Sequence, residues 1–246
     1  LSDWSSDVCS SDLLLLALRR HDVAATFRGF GGDRMEAAGM ELVVHYRQMA
    51  FMGILEVLLN LHNIRKWMDT CQREILAFRP DVVILIDYGG FNMRIARFCK
   101  ANGIRVYYYI SPKVWAWNTG RALKLMATVD RMFCILPFEK DFYLKFGWLV
   151  DYVGNPVLDA VRSFTPNPVV LKDVIRDGEQ VVALLPGSRK IELKRILPLM
   201  AEVARAYPDV VFVVAAIREL PAELYKPVTG LPNVRFCYDA TYELLS

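Results

Sequence analysis

Histidine is nearly absent. His21, His45 and His62 are the only three in 246 residues and no two stand at i, i+4 spacing, which argues against a zinc site. No Asp-x-Asp occurs either, so the usual short carboxylate cluster for a metal-nucleotide complex is missing. The five cysteines (Cys9, Cys71, Cys99, Cys134, Cys237) are odd in number, widely spaced and without a C-x-x-C pair, the pattern of free thiols in a reducing cytoplasm. The most apolar helical stretch, Met49 to Leu61, has 13 residues, where a bilayer span needs about 20. With 30 basic against 27 acidic residues the net charge is only +3, which speaks against a nucleic-acid binder.

What remains is a strongly apolar chain (54% hydrophobic) with a pronounced α/β pattern, long enough for one open domain and part of a second. Val82 to Ile86 is too continuously apolar for a half-exposed strand, and it stops at Asp87-Tyr88-Gly89-Gly90. Phe91 to Ala101 then places Phe91, Ile95, Phe98 and Cys99 at helical spacing, Asn102-Gly103 supplies a C-terminal cap, and Ile104 to Ile110 is the next strand. Such a βαβ unit is right-handed with parallel strands, and its ligand crevice lies beyond their carboxyl ends. Asp87 and the run Ser111-Pro112-Lys113-Val114-Trp115-Ala116-Trp117 both fall there. Asp87 reads in two ways, as a catalytic carboxylate or as a turn residue bonding the amides of Gly89 or Gly90. Trp115 and Trp117 alternate along an extended stretch, so one faces the crevice, for stacking on a sugar or acyl chain, and the other packs inward.

Residues 1–12 repeat Ser-Ser-Asp, lack apolar periodicity and read as foreign sequence. Leu13 to Arg20 is expected as a helix and Ala24 to Phe30 as a strand, an opening from which the first strand of an α/β domain is missing. Met49 to Leu61 is by default a core helix; the alternative is a helix in the membrane interface, with Phe51, Leu55 and Leu58 toward lipid and Glu56 and Asn60 toward protein. Helices are expected near Ala122 to Thr128 and from Pro137-Phe138-Glu139 through Phe146, and short strands at Met132 to Leu136 and Tyr152-Val153. A Pro-rich linker at 163–168 divides residues 13–162 from residues 169–246. In the latter, strand Val181 to Leu185, helix Ile191 to Tyr207, and strands Val210 to Ala215 and Val234 to Cys237 restart the pattern.

Two features suggest anions. Between Arg94 and Arg131 eight bases face one acid, Asp130, a net of +7, which is either a solvated helix face or a surface for anionic lipid or phosphate. Farther on, a buried strand turns through Gly187 into a helix that Ser188 is expected to cap, with Arg189 and Lys190 in its first turn. The helix dipole disfavours cations there by roughly a few tenths of a kcal/mol each unless an anion shares the site. The loop is therefore either a phosphate site or an ordinary capped helix.

Asp87-Tyr88-Gly89-Gly90-Phe91-Asn92, Tyr109-Ile110-Ser111-Pro112-Lys113-Val114-Trp115-Ala116-Trp117, Leu136-Pro137-Phe138-Glu139 and Leu185-Pro186-Gly187-Ser188-Arg189 together resemble, in order and spacing, the lipid-A-disaccharide synthase family. Gly31-Gly32-Asp33-Arg34-Met35 and Ala50 to Leu58 resemble it as well, and the likeness covers Asp12 to the C-terminus. The resemblance implies a GT-B fold of two Rossmann-like domains with parallel sheets, the first acceptor- and membrane-facing, the second binding UDP-sugar and incomplete here. It implies no cofactor and no metal, and peripheral action at the cytoplasmic face of the inner membrane of Gram-negative bacteria. The reaction implied is an inverting transfer that joins UDP-2,3-diacylglucosamine to 2,3-diacylglucosamine 1-phosphate (lipid X), releasing UDP. Carried over residue by residue, Asp87 is catalytic; Ser111, Lys113, Trp115, Trp117, Arg121, Glu139 and Asn155 bind substrate; and Gly187, Ser188 and Arg189 bind nucleotide. Partners are then the two lipid substrates and the membrane surface, with an oligomer left open. The chain departs from the family at Gly90, where many members carry a second aspartate favoured as base, and at Asn155, within a common Gly-His-Pro. A glycine-rich loop after the first strand and a later Ser-Gly-Thr-x-Thr-Leu-Glu region are missing, so a fragment inactive on its own is expected. Competing readings are another GT-B sugar-nucleotide enzyme, such as a UDP-sugar epimerase, and a non-catalytic membrane-surface module.

Overall fold

The computed structural model describes residues 10–48, 61–167, 169–176 and 178–246, and among these no helix is long and apolar enough to cross a membrane. The expected helix from Met49, with Phe51, Leu55 and Leu58, lies outside the described residues except for its end, as does the side chain of Trp117. The chain forms two compact units, Leu1–Asp159 and Ala160–Ser246.

The first unit begins with α1 (Ser10–His21), β1 (Arg28–Gly31), α2 (Asp33–Ala37), β2 (Glu41–His45) and α3 (Leu61–Phe78). α1 starts inside the segment that composition sets apart, and its Leu15 is buried with Met35, Ala38 and Met40. β1 and β2 pair in parallel. Then come β3 (Val82–Ile86), α4 (Gly89–Ala101), β4 (Arg105–Tyr109), α5 (Val114–Trp117), α6 (Arg121–Met126), β5 (Arg131–Cys134), α7 (Phe138–Leu144), β6 (Asp151–Tyr152) and α8 (Pro156–Ser163). Strands β3 to β6 form one parallel sheet in sequence order. β4 is central: Val106 and Tyr108 alternate into a core with Leu85, Ile95, Cys99 and Met132. The helix α4 reaches that core because Asn92, Ile95, Ala96 and Cys99 repeat at i, i+3, i+4, i+7.

The end of α4 follows the expected cap. Gly103 has φ +70, its N–H reaches Lys100 O at 3.2 Å, and the Ile104 N–H reaches Cys99 O at 2.9 Å, the paired bonds of a glycine-terminated helix. Two contacts orient β1 against the larger sheet. Arg28, at its start, pairs with Glu74 late in α3 at 2.9 Å, and Phe30, near its end, packs on Phe91 in the first turn of α4 at 6.3 Å between rings. The carboxyl ends of β1 and β3 therefore share an edge.

Two expectations need correction. Residues 114–117 are helical, because the Val114, Ala116 and Asn118 N–H groups close tight turns onto Pro112, Lys113 and Val114. Residues 156–163, the last of them expected in the Pro-rich linker and the rest given no element, form α8: Pro156 suits a first helical position, and Asn155 Oδ1 accepts the Val157 N–H at 3.1 Å. Residues 164–167 carry no regular element.

The second unit holds β7 (Val181–Leu184), α9 (Lys190–Ala206), β8 (Val211–Ala216), β9 (Val234–Tyr238) and α10 (Thr241–Leu245), with β7, β8 and β9 in one parallel sheet. Leu193, Leu197, Ala201 and Ala204 bury one face of α9 on it.

Candidate active site

At the carboxyl edge of the four-stranded sheet the backbone is strained after two adjacent strands. Asp87 (φ +46) and Tyr88 (φ +42) follow β3, and Ile110 (φ +62) follows β4. Left-handed geometry costs a residue with a Cβ about 1–2 kcal/mol, and β-branched Ile110 is a marked outlier. The inter-strand ladder nonetheless continues past both ends: the Asp87 N–H donates to Tyr109 O and the Ile110 N–H to Phe133 O, each at 3.1 Å. The Asp87 carbonyl accepts the Tyr108 hydroxyl at 2.6 Å and Asn92 Nδ2 at 2.8 Å, and Asn92 Nδ2 also reaches Ile86 O at 3.0 Å. Beside this turn a Cβ on Gly89 would come within 2.8 Å of Pro112 Cβ, so only glycine lets the start of α4 approach the Ser111–Trp117 loop so closely. A Cβ on Gly90 meets nothing within 4 Å among the described residues.

The loop after β4 is fastened from below. Ser111, 3% exposed, has its Oγ 2.6 Å from the Tyr143 hydroxyl. Trp115 Nε1 donates to Glu139 Oε1 at 3.3 Å, while Glu139 Oε2 accepts the Ile135 and Leu136 N–H groups at 3.2 and 3.0 Å. Glu139 is 1% exposed at the start of α7, where the helix dipole favours a carboxylate. The Trp115 ring meets Phe138 edge-on at 5.0 Å. Ser111 with Tyr143 and Trp115 with Glu139 thus make two separate ties between this loop and α7; Ser111 and Glu139 shape the floor, and half-buried Trp115 tops it. Lys113 and Arg121 are exposed, and Asn155 caps α8.

All eight bases between Arg94 and Arg131 are exposed, yet they do not share one surface. Arg105 and Arg131 open β4 and β5 at the amino edge, with Lys100 on Asp130 at 2.9 Å and Arg131 on Asp151 at 2.8 Å, whereas Lys113 and Arg121 belong to the carboxyl edge. The half-buried Cys71 and the buried Cys99 and Cys134 are poor nucleophiles at neutral pH: desolvation pushes Cys71 and Cys134 up to about 12 and Cys99 to about 11.

In the second unit the cap of α9 is Arg189, not Ser188. Glu192 explains the difference. Its Oε2 accepts the N–H groups of Ser188 (3.0 Å) and Arg189 (3.1 Å), and its Oε1 pairs with Arg189 Nη1 at 2.8 Å. The anion that balances the basic first turn is therefore supplied by the chain itself, at the three-residue spacing of a capping box. Backbone bonds and the Arg189 charge hold the Glu192 carboxyl below its usual range despite opposing desolvation, the largest single influence. Gly187, at φ +100, has no room for a Cβ because the Glu192 carboxylate lies over it. Asn92, Tyr108 and Glu192 were not foreseen as site residues; a polar side chain at a core position of α4, and Arg189-x-x-Glu192, were the available signals.

A family model of lipid-A-disaccharide synthetases matches residues 1–226. The chain belongs to that family. It is 42% identical over 214 residues to the lipid-A-disaccharide synthase of Geobacter metallireducens, and 41% identical over 249 residues to that of Geobacter sulfurreducens. These alignments take in 85% and 98% of this chain but 56% and 64% of the relatives, so the chain spans little more than half the length of such synthases. Among solved structures, a Neisseria meningitidis UDP-GlcNAc 2-epimerase bound to UDP-GlcNAc is similar over 95% of this chain and 70% of its own, with TM-score 0.62 and 16% identity. That likeness concerns architecture alone, and it agrees with a GT-B type α/β fold.

Proposed function

We propose that this lipid-A-disaccharide synthetase segment serves the transfer of a diacylglucosamine unit from UDP-2,3-diacylglucosamine to 2,3-diacylglucosamine 1-phosphate, giving the lipid A disaccharide and UDP. The observation that supports it most is the strained Asp87 turn beside the Ser111–Trp117 loop, in a chain of this family. Asp87 takes the proton of the acceptor hydroxyl as its oxygen bonds to the anomeric carbon of the donor, and the bond from that carbon to the diphosphate breaks with inversion. Lys113 and Arg121 attract the acceptor phosphate and Trp115 offers an apolar face; in the second unit, taken by itself, Arg189 is the proposed contact for UDP. The test is disaccharide formation from the two substrates by the protein at the full length of its relatives. Release of UDP without disaccharide would sink the reading.

The nucleotide role of the loop at Gly187, Ser188 and Arg189 is tested by UDP calorimetry. With Glu192 already holding both amides, the diphosphate engages the guanidinium, and Arg189→Ala should weaken UDP binding roughly ten- to a hundredfold, the worth of one charge-assisted contact. Equal affinities would leave the loop as a helix cap.

Peripheral binding to the cytoplasmic surface of the inner membrane is the companion proposal. Lys113, Arg121 and Lys124 are exposed, with Leu123 half-exposed between the last two. The triple Ala variant should float less with anionic liposomes, and raising salt should abolish the difference. Flotation identical to wild type at low salt would move the contact elsewhere.

A further inference from the structure

A left-handed turn of two side-chain-bearing residues persists only where its surroundings over-determine it. At Asp87-Tyr88 two buried polar side chains do so. Asn92, in the first turn of α4 and 9% exposed, binds the carbonyls of Ile86 and Asp87 through a single nitrogen, at 3.0 and 2.8 Å. Tyr108, one residue from the end of β4 and fully buried, delivers its hydroxyl to the Asp87 carbonyl at 2.6 Å. One nitrogen can reach two consecutive carbonyls only if the chain bends sharply between them. Packing of α4 on the sheet does not require these groups, since apolar residues of similar shape fill such positions at little cost. Both polar groups converge on the backbone of the residue that carries the carboxylate.

We propose that Asn92 and Tyr108 are positioning residues for sugar transfer, holding the Asp87 backbone in its left-handed turn and so aiming the carboxylate at the acceptor hydroxyl. The proposal rests on the assignment of Asp87 as the base. A misplacement near 1 Å costs on the order of a hundredfold in rate. Tyr108→Phe and Asn92→Ala should therefore lower kcat about ten- to a hundredfold and leave KM for both substrates within about twofold.

The deciding measurement is a double-mutant cycle in the enzyme at the full length of its relatives, with thermal melts of each variant. In an Asp87→Asn background neither substitution should lower the residual rate further, because the group it aims has gone. Losses that add to that of Asp87→Asn, a rise in KM alone, or wild-type kcat in Tyr108→Phe would overturn the proposal. Tyr108→Phe keeps the ring and loses one oxygen, so it decides the matter if Asn92→Ala does not fold. Wild-type kcat in Asp87→Asn itself, or a parent without transfer activity, would instead overturn the underlying assignment and this proposal with it.

Discussion

In the protein at the full length of its relatives, Asp87→Asn should lower the rate of disaccharide formation by about 10²–10⁴-fold, the contribution of a general base in the role proposed for Asp87. The amide matches the carboxylate in shape but cannot take a proton. The bonds that pin the turn run to the Asp87 carbonyl and from its N–H, so the substitution leaves them in place. Activity and folding therefore separate. The variant should melt within a few degrees of wild type and bind UDP with unchanged affinity. A rate within tenfold of wild type would remove Asp87 from the chemistry and return it to the role of a turn residue.

The second large effect concerns Glu139, whose removal should be felt in stability before activity. Glu139→Ala strips an acceptor from the Trp115 indole and from the Ile135 and Leu136 amides, in a place that is 1% exposed. A buried donor left without a partner costs about 1–3 kcal/mol, so the loss should reach about 3 kcal/mol or more. That is a large share of the roughly 5–15 kcal/mol that holds a domain folded. Urea titration reads it as a lower midpoint, and Glu139→Gln should recover part of the loss by keeping one acceptor oxygen. With Trp115 untethered, KM for the acylated acceptor should rise in the alanine variant. A midpoint shift worth less than about 1 kcal/mol would show that water replaces the carboxylate, and Glu139 could again be counted as a substrate contact.

The contrast between these residues shows what could be read in advance. The β3–α4–β4 unit, its Asn102-Gly103 cap and the turn at Gly187 were legible because local signals fix them: an uninterrupted apolar run, helical spacing, and a glycine that must take positive φ; the cap beyond that turn, Arg189 rather than Ser188, was not. The roles of Ser111 and Glu139 were not. Both stand in the loops where ligands bind, and only the packing of α7, which brings Tyr143 and the Glu139 carboxylate against the post-β4 loop, turns them inward. Asn92 and Tyr108 come together across 16 positions, a relation that periodicity does not register. The basic run misled differently: a charge count along the chain does not see that crossing the sheet puts Arg105 and Arg131 at its amino edge and Lys113 and Arg121 at its carboxyl edge. At Arg189 the electrostatic premise was sound, but the anion came from three residues downstream.

Gly90 carries a consequence of another kind. Its surroundings leave space for a side chain, it belongs to the first turn of α4, and a glycine there weakens the helix by roughly 0.5–1 kcal/mol against alanine. The Cβ of an aspartate at this point would meet no described atom within 4 Å, and its carboxylate would gain from the helix dipole. Two of the four glycine codons become aspartate codons, and the other two glutamate codons, by a change of the middle base. The one-carboxylate and two-carboxylate versions of this strand end are thus adjacent in mutational terms, with no rearrangement of backbone between them. From any glycine codon a single middle-base change puts a second carboxylate, aspartate or glutamate, at this turn, and its Cβ finds room.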